Sequence, residues 1–218
     1  MNKTAWTLAA TAALLWTTAL RADDGDVVVR HFVKQFPASG IERVFVDVPV
    51  GDVVIEGSTA AQVELEVNLE CADRGGSCEE LAQRVKVVFS RDEGELTLRV
   101  KEWPKSTNRG LEAHIRVLMP RQIDLRADLG VGRLSIAGLE SDVTADLGVG
   151  QLNVTLPLAA IASVSADAGI GDAGLIAAGR RYRSSGLVAR EIRWNKGPGK
   201  SRLEADCGVG QIDIRLTR

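Results

Sequence analysis

Histidine and cysteine are scarce in this chain of 218 residues, which has two His and three Cys. Neither His31 nor His114 belongs to a Ser-His-Asp or His-Glu pattern, so nucleophilic catalysis has little support. An excess of charge of one sign is also absent: 27 Lys and Arg stand against 29 Asp and Glu. This mild balance argues against nucleic acid as a partner. We therefore expect a protein that is not an enzyme and needs no cofactor or metal.

Long apolar runs are absent after residue 22, which excludes a later membrane-spanning helix. The early run, residues 5–19, follows Lys3 and precedes Arg21, with small residues at its end. This is the layout of a secretory signal peptide, here cleaved after Ala19 or Ala22. An anchoring helix is the alternative, but the run is short for a span of about 20 residues. No Cys marks lipid attachment, so we expect an exported protein of the periplasm or cell surface without a transmembrane segment.

The three cysteines divide into a close pair and a single residue. Six residues, Ala-Asp-Arg-Gly-Gly-Ser, separate Cys71 from Cys78. Because an exported protein meets an oxidising compartment, this pair is expected to form a structural disulfide. A metal or redox pair is the alternative, but CxxC spacing and a nearby His are lacking. Cys207 is expected to be a small buried hydrophobe with an inert thiol.

An internal repeat dominates the second half of the chain. Each copy carries an Asp followed by two Gly residues at steps of two, between apolar positions. Successive Asp residues are 18, 21 and 39 positions apart, and the last interval indicates two periods with one degenerate copy between them. A period near 20 residues is typical of a solenoid. The copies span residues 125–136, 143–154, 164–175 and 203–214, with a relative at 44–55.

Hydrophobic periodicity within each copy indicates a strand with one buried face. Alternate residues from Leu125 to Val131 are apolar, and the parity then slips by one to Leu134 and Ile136. A slip next to Gly is typical of a bulge or a corner. We therefore predict an all-β fold, a single-stranded parallel β-helix (β-solenoid) with rungs of about 20 residues. In each copy, the last apolar residue before the slip is also expected to face inward; these residues are Val50, Val131, Val149, Ile170 and Val209.

The stretch 58–120 has a different pattern. Longer strands are predicted at 63–69, 85–89, 96–100 and 111–117, and a turn at 91–94 makes the middle two a hairpin. A short helix is predicted between Cys78 and Arg84, because Ser77 and Glu80 have capping-box spacing. We expect residues 1–22 to be the signal peptide and 23–218 a single β-solenoid domain. Its half 23–120 is irregular and its half 121–218 carries the regular repeats.

These motifs resemble a known family. The repeated A-D-x-G-V-G-x-L-x-V, the opening V-x-V-P-V-G-D-V-V-I-E-G and the helical insert before a hairpin are similar to the β-strand-repeat "putative adhesin" family of bacterial envelope proteins. The run from Trp194 to Lys200 also resembles its proteobacterial members. The resemblance covers nearly all of the chain after the signal peptide. It implies a stacked β-helical protein with adhesion or envelope-stress roles, and it brings no catalytic residues.

The Asp residues of the repeats are candidates for a charged row on the outer face. If the repeats stack, Asp128, Asp146, Asp167 and Asp206 align, with Asp47 beyond. On strands about 4.8 Å apart, neighbouring carboxylates would repel by about 1 kcal/mol in water. The simplest compensation is an Asx-turn, in which each Asp accepts the N–H of the Gly two residues on. Cation binding between rungs and direct ligand contact are the alternatives, although the G-G-x-G-x-D calcium repeat is absent.

The paired Gly residues are expected to form the corner of each rung. One Gly of each pair accounts for the bend, and the other either serves the same bend or leaves a bare groove for a glycan, a peptide or a second subunit. No helix follows the pair, so it is not a phosphate-binding loop. The pairs are Gly130 and Gly132, Gly148 and Gly150, Gly169 and Gly171, and Gly208 and Gly210.

Basic residues concentrate near the C-terminus, where Glu191 is the only acidic residue between positions 180 and 202. They are either a solvated face that balances the Asp residues or a contact surface for anionic envelope polymer or lipid headgroups. The candidate contacts are Arg180, Arg181, Arg183, Arg193, Lys196 and Lys200.

The patterns together favour a non-enzymatic, adhesin-like interaction or scaffold protein of the cell envelope. Its expected partner is an envelope polymer, a lipid headgroup or another protein. One alternative is a polysaccharide-active enzyme on a β-helix, in which an Asp column would meet Arg or Lys in a concave pocket. Another is a self-assembling structural protein, whose uncapped final rung at 212–216 would pair end to end.

Overall fold

The computed structural model describes residues 27–72, 76–104, 110–183 and 190–218, so the predicted signal peptide lies outside the described residues. The described part forms twelve β-strands and one short helix. The strands are β1 (Val27–Pro37), β2 (Arg43–Ser58), β3 (Gln62–Cys71), β4 (Lys86–Asp92), β5 (Glu95–Lys101), β6 (Leu111–Pro120), β7 (Asp124–Ala137), β8 (Val143–Pro157), β9 (Ile161–Ala177), β10 (Arg180–Arg183), β11 (Arg190–Trp194) and β12 (Ser201–Thr217). The helix, α1 (Gly76–Arg84), lies between β3 and β4.

The strands form one mixed, unclosed sheet. Its centre is a parallel array of five long strands in the order β2-β7-β8-β12-β9, and all five carry the repeat. On one side β2 pairs in parallel with β5 and β6, which are extended by antiparallel strands β4, β3 and β1. On the other side β10 and β11 pair antiparallel with β9.

Each repeat strand bends at its Gly pair, and this bend creates the core. Along β7 and β8 the register runs from Leu129 opposite Leu147 directly to Val131 opposite Val149. Before the bend the buried residues have odd numbers in β7, and after it they have even numbers, beginning with Leu134. Both halves belong to one hydrophobic core. The helix is only nine residues long, so the two halves of the bent strands must cover one another to keep these side chains dry.

Strand β2 is the junction between the two ends of the sheet. Its first half, residues 43–47, pairs with β5, and its second half, residues 52–58, pairs with β6. Both halves pair with β7 on the opposite edge. The bend in β2 therefore separates two groups of strands that would otherwise compete for the same edge.

The helix is held at both ends. The predicted disulfide is confirmed: Cys71 at the end of β3 is bonded to Cys78 in the first turns of α1. At the other end, Arg30 Nη1 on β1 donates to the carbonyls of Ala82 at 2.7 Å and Val85 at 2.6 Å. The predicted helix and the hairpin of β4 and β5 are also observed.

The sheet corrects three expectations about the architecture. The single-stranded parallel β-helix is not supported, because the sheet is mixed and unclosed and contains antiparallel pairs. No degenerate parallel rung lies between Asp167 and Asp206 in the described residues: β10 and β11 instead run antiparallel to β9. The last strand, β12, lies between β8 and β9. Residues 212–215 pair with β8 on one side and with β9 on the other, so this segment is not an uncapped final rung.

Replacing the second Gly of a pair should damage the fold. A Cβ built at Gly150 would lie 1.8 Å from the carbonyl O of Gly132, and its φ of +141° is unfavourable for an L side chain. We predict that Gly150→Ala lowers the free energy of unfolding by about 2–5 kcal/mol, from overpacking plus backbone strain. Urea unfolding checks this. The control is Gly174→Ala, where the nearest atom is 3.5 Å away. Equal midpoints for the two variants would contradict the prediction.

Candidate functional site

Parallel pairing in register aligns equivalent repeat residues in rows across the sheet. The Asp residues form one such row on the outer face of the first halves of the strands. Its order follows the strands rather than the chain: Asp47, Asp128, Asp146, Asp206 and Asp167. With strands about 4.8 Å apart, the row extends for about 19 Å.

Two arginines neutralise one end of the Asp row. Arg99 Nε on β5 lies 2.6 Å from Asp47 Oδ2. Arg126 lies 3.3 Å from Asp128 Oδ2 and 3.8 Å from Asp146 Oδ2. Both guanidinium groups also lie over the ring of Phe45, at 5.3 and 5.4 Å from its centroid. The aromatic ring therefore helps to hold both cations beside the carboxylates.

From its middle residue, Asp146, to its other end the row keeps part of its repulsion. Partial burial, together with a hydrogen bond to Asp128 and the charges of Asp128 and Asp206, raises the pKa of the Asp146 carboxyl. Partial burial and the charges of Asp167 and Glu204 raise the pKa of Asp206. Within the described residues Asp206 has no ion-pair partner. The row thus changes from neutralised at β2 to acidic at β12 and β9.

The predicted Asx-turns are not found. Each Asp lies inside a strand, two residues before the first position of the Gly pair, and no Asp of the row accepts a hydrogen bond from the following Gly in the described residues. Arginines, not local backbone N–H groups, provide the compensation that the row receives. The sequence pattern missed Arg99 because it lies on β5, outside the repeats.

Both Gly residues of each pair are required by the backbone of the neighbouring strand. A Cβ at Gly148 would lie 2.4 Å from the carbonyl O of Gly130, and the second Gly of each pair also has a positive φ. The close approach to the backbone is therefore made by the adjacent strand, which accounts for both Gly residues of a pair without a ligand. The alternative, a groove for a glycan, a peptide or a second subunit along the Gly residues, stays a prediction.

The residue between the two Gly residues forms an exposed aliphatic row, which we name the aliphatic ridge. It was expected to face inward, and that expectation is wrong. Val131 and Val149 are each 46% exposed, Val209 is 43% exposed and Ile170 is 61% exposed, while Val50 is half-buried. The bend turns this position outward, because the parity of burial changes across it. The register places the ridge in the order Val50, Val131, Val149, Val209 and Ile170.

Cys207 is buried as expected. Its side chain occupies the inward position that Leu147 and Ala168 fill in the neighbouring strands. Burial raises the pKa of the Cys207 thiol, so the thiolate is disfavoured.

The two histidines lie near one another on the outer face. His31, Asn68, His114 and Asp52 face each other across β1, β3, β6 and β2. His114 Nε2 is 3.5 Å from a Glu70 carboxylate oxygen. Among the described residues no group of three or more His, Cys, Asp or Glu could hold a metal ion. No helix in that part of the chain is long and apolar enough to cross a membrane.

The basic residues of the C-terminal stretch do not form a single row. Arg180, Arg181 and Arg183 lie on β10, which pairs with the second half of β9. Arg193 lies on β11, which pairs with the first half, and it forms an ion pair with Glu191. Lys196 and Lys200 are exposed in the segment that leads to β12. The structure thus distributes these candidate contacts over β10, β11 and the segment before β12.

Comparison with known proteins supports the fold. No family model and no curated protein matches the chain. A crystal structure of "a putative cell adhesion protein" from Clostridium sporogenes has a TM-score of 0.51 at 15% identity, and the match covers 86% of this chain and 99% of that chain. A "putative adhesin" from Bacteroides fragilis has a TM-score of 0.29 at 11% identity, with 85% and 97% covered. The Clostridium protein is therefore similar in fold.

Neutralising Asp206 should stabilise the protein at alkaline pH. A folded-state pKa above the ordinary value means that the stability contributed by this group is fully present at low pH and is lost as pH rises through the folded pKa. We predict that Asp206→Asn raises the free energy of unfolding by about 0.5 kcal/mol above that pKa, the scale of exposed charge pairs. The gain should vanish at acidic pH.

Urea unfolding from pH 3 to 9 measures this difference. Asp128→Asn is the matched control, because it occupies the same row but loses the ion pair with Arg126. It should give no gain at high pH. A gain from Asp128→Asn equal to that from Asp206→Asn would show that the arginines do not compensate the row.

Proposed function

We propose that the chain is a non-enzymatic, adhesin-like interaction module of the bacterial cell envelope, located in the periplasm or at the cell surface. The apolar run at residues 5–19 and the Cys71–Cys78 disulfide support export. The fold shared with a crystal structure described as a cell adhesion protein supports the adhesin-like role. The partner that we favour is an extended polymer of the envelope.

The aliphatic ridge is the observation that carries this proposal. Single exposed aliphatic side chains are ordinary, but a contiguous apolar patch on a soluble surface usually marks an interaction site. Here exposed aliphatic side chains lie on four adjacent strands, the half-buried Val50 continues them on a fifth, and the line extends for about 19 Å. The Asp row runs beside it on the same five strands. A surface of this kind offers the same contacts repeatedly, which suits an extended partner better than a small substrate.

A polysaccharide-active enzyme is the rival that we considered. Its expected mark is an Asp column that meets Arg or Lys in a concave pocket, and the first part of it is present, because Asp47 and Asp128 meet arginines. We favour binding because these carboxylates lie side by side in one row on an outer face. A hydrolase instead needs two carboxyl groups that flank the scissile bond from opposite sides.

Binding to isolated envelope material tests the proposal. The exported, purified chain is sedimented with peptidoglycan, with lipopolysaccharide and with anionic vesicles, at low and high salt. The test variant is Val149→Thr/Val209→Thr/Ile170→Thr, which keeps the β-branched shape and removes the apolar ridge. We expect the chain to bind at least one material and the variant to bind it at least tenfold more weakly.

The control for this experiment is Val54→Thr, because Val54 is 39% exposed but lies outside the ridge. It should bind as the unmodified chain does. Absence of binding to all three materials would contradict the envelope role. Release of soluble sugar from the polymer during the assay would favour the enzyme instead.

A further inference from the structure

A second surface, on the outer face of the second halves of the strands, has the character of a ligand site. Gly174 on β9 has no side chain, and the strands on either side of it carry Asp213 and Arg183 at the same level. One residue pair further along, Ile176 lies between Arg215 on β12 and Arg181 on β10. These residues surround a depression of about 700 Å³, which we name the Gly174 groove.

The arginines of the groove lack the partners that arginines have elsewhere on the outer faces. Arg99, Arg116 and Arg133, for example, form ion pairs with Asp47, Glu56 and Asp52. Within the described residues Arg181, Arg183 and Arg215 form no ion pair. They are exposed at the rim.

The acidic residue of the groove leaves a net positive charge. Asp213 Oδ2 accepts a hydrogen bond from Gln211 at 2.6 Å, and its Oδ1 lies 3.5 Å from the position of a Cβ at Gly174. Three arginines and one carboxylate therefore line the groove. An anion that enters it gains attraction from three cations and meets one repelling group.

The spacing of the groups defines the ligand. Arg181 and Arg215 lie one strand on either side of Ile176, so their backbones are about 10 Å apart. Guanidinium groups bind phosphate with two parallel N–H bonds. Ile176 offers an apolar floor between them, and Thr155 and Asn153 at the far wall can hydrogen-bond hydroxyl groups.

We propose that the Gly174 groove binds a sugar that carries two phosphate groups, one held by Arg215 and the other by Arg181 and Arg183. This inference rests on the proposed envelope function and names a ligand class for it. The sugar lies across Ile176, and Asp213 accepts hydrogen bonds from its hydroxyl groups. The ligand is either part of a phosphorylated glycolipid headgroup or a free sugar phosphate.

Calorimetric titration of the full exported chain with fructose 1,6-bisphosphate tests the site, with glucose 6-phosphate and fructose as comparison ligands. We expect saturable binding of the bisphosphate, at least tenfold weaker binding of the monophosphate and no binding of the neutral sugar. Arg181→Gln/Arg215→Gln should weaken the bisphosphate at least tenfold. Gly174→Val should do the same by filling the groove without removing a charge. No saturable binding, or equal binding by the double variant, would overturn the proposal.

Arg180→Gln is the matched control, because Arg180 lies on the same strand but does not line the groove. It should bind the bisphosphate normally, and a loss equal to that of the double variant would show that only overall charge matters. Urea unfolding of each variant verifies that it is folded.

Micelles of lipopolysaccharide, with and without its phosphates, distinguish the two ligand sources. Phosphate-dependent capture that the double variant loses supports a glycolipid headgroup, and capture of the free bisphosphate alone supports a soluble sugar phosphate. Envelope binding that is equal in the unmodified chain and the double variant would overturn the groove but leave the proposed function intact. Binding of the bisphosphate without binding to any envelope material would support the groove and contradict the proposed function.

Discussion

The close approach of neighbouring backbones at the bend is the constraint on which the rest of the structure depends. The carbonyl O of one strand occupies the place where the next strand would carry a Cβ, 1.8 Å away at Gly150 and 1.9 Å away at Gly132. Only Gly satisfies this at both positions of the pair, so the pair repeats on β7, β8, β9 and β12, while β2 keeps the second Gly, Gly51, and has Pro49 at the first position. Because the strands must then bend at the same level, their two halves line one core, and the residue between the glycines is turned to solvent.

The same register imposes a cost on the outer face, since identical residues of a repeat become neighbours. For Val131 and Val149 this creates an apolar line, and for the Asp residues it creates repulsion. The repulsion is relieved only where a strand from outside the repeats contributes a cation, as β5 does through Arg99, or where a repeat carries its own, as β7 does through Arg126. The sheet therefore has a neutralised side near β2 and an acidic side near β9, although its strands are built from one pattern.

Local features of the fold could be predicted from the sequence, but the choice of neighbours could not. Alternation of apolar residues, Gly spacing and the Cys71–Cys78 pair are carried by residues close in the chain, and they predicted the repeat strands, the bend, the helix, the hairpin and the disulfide. The alternation of apolar residues was ambiguous only for the residue between two glycines, such as Val131, because this residue can be assigned to the pattern of either half of the strand.

The order of the strands depends on which unpaired strand edges meet in the folded chain, and these edges are far apart in the sequence. The repeat pattern is the same in β9 and β12, so it does not indicate which of them pairs with β8. Candidate residues that lie on neighbouring strands, such as Arg99 and Arg215, were missed for the same reason.

The position of β12 explains why the Gly174 groove exists. Strand β9 has two edges, and its second half uses one for β10 and the other for β12. If the repeats had stacked in chain order, β8 would occupy one edge of β9, and β10 and β12 would compete for the other. Because β12 lies between β8 and β9, Arg215 faces Arg181 across a single strand, with Gly174 and Ile176 between them. The departure from a regular solenoid thus brings Arg215 to the same groove as Arg181 and Arg183, from which it is more than 30 residues away in the sequence. It gives one end of the sheet a surface that the repeated rows do not provide.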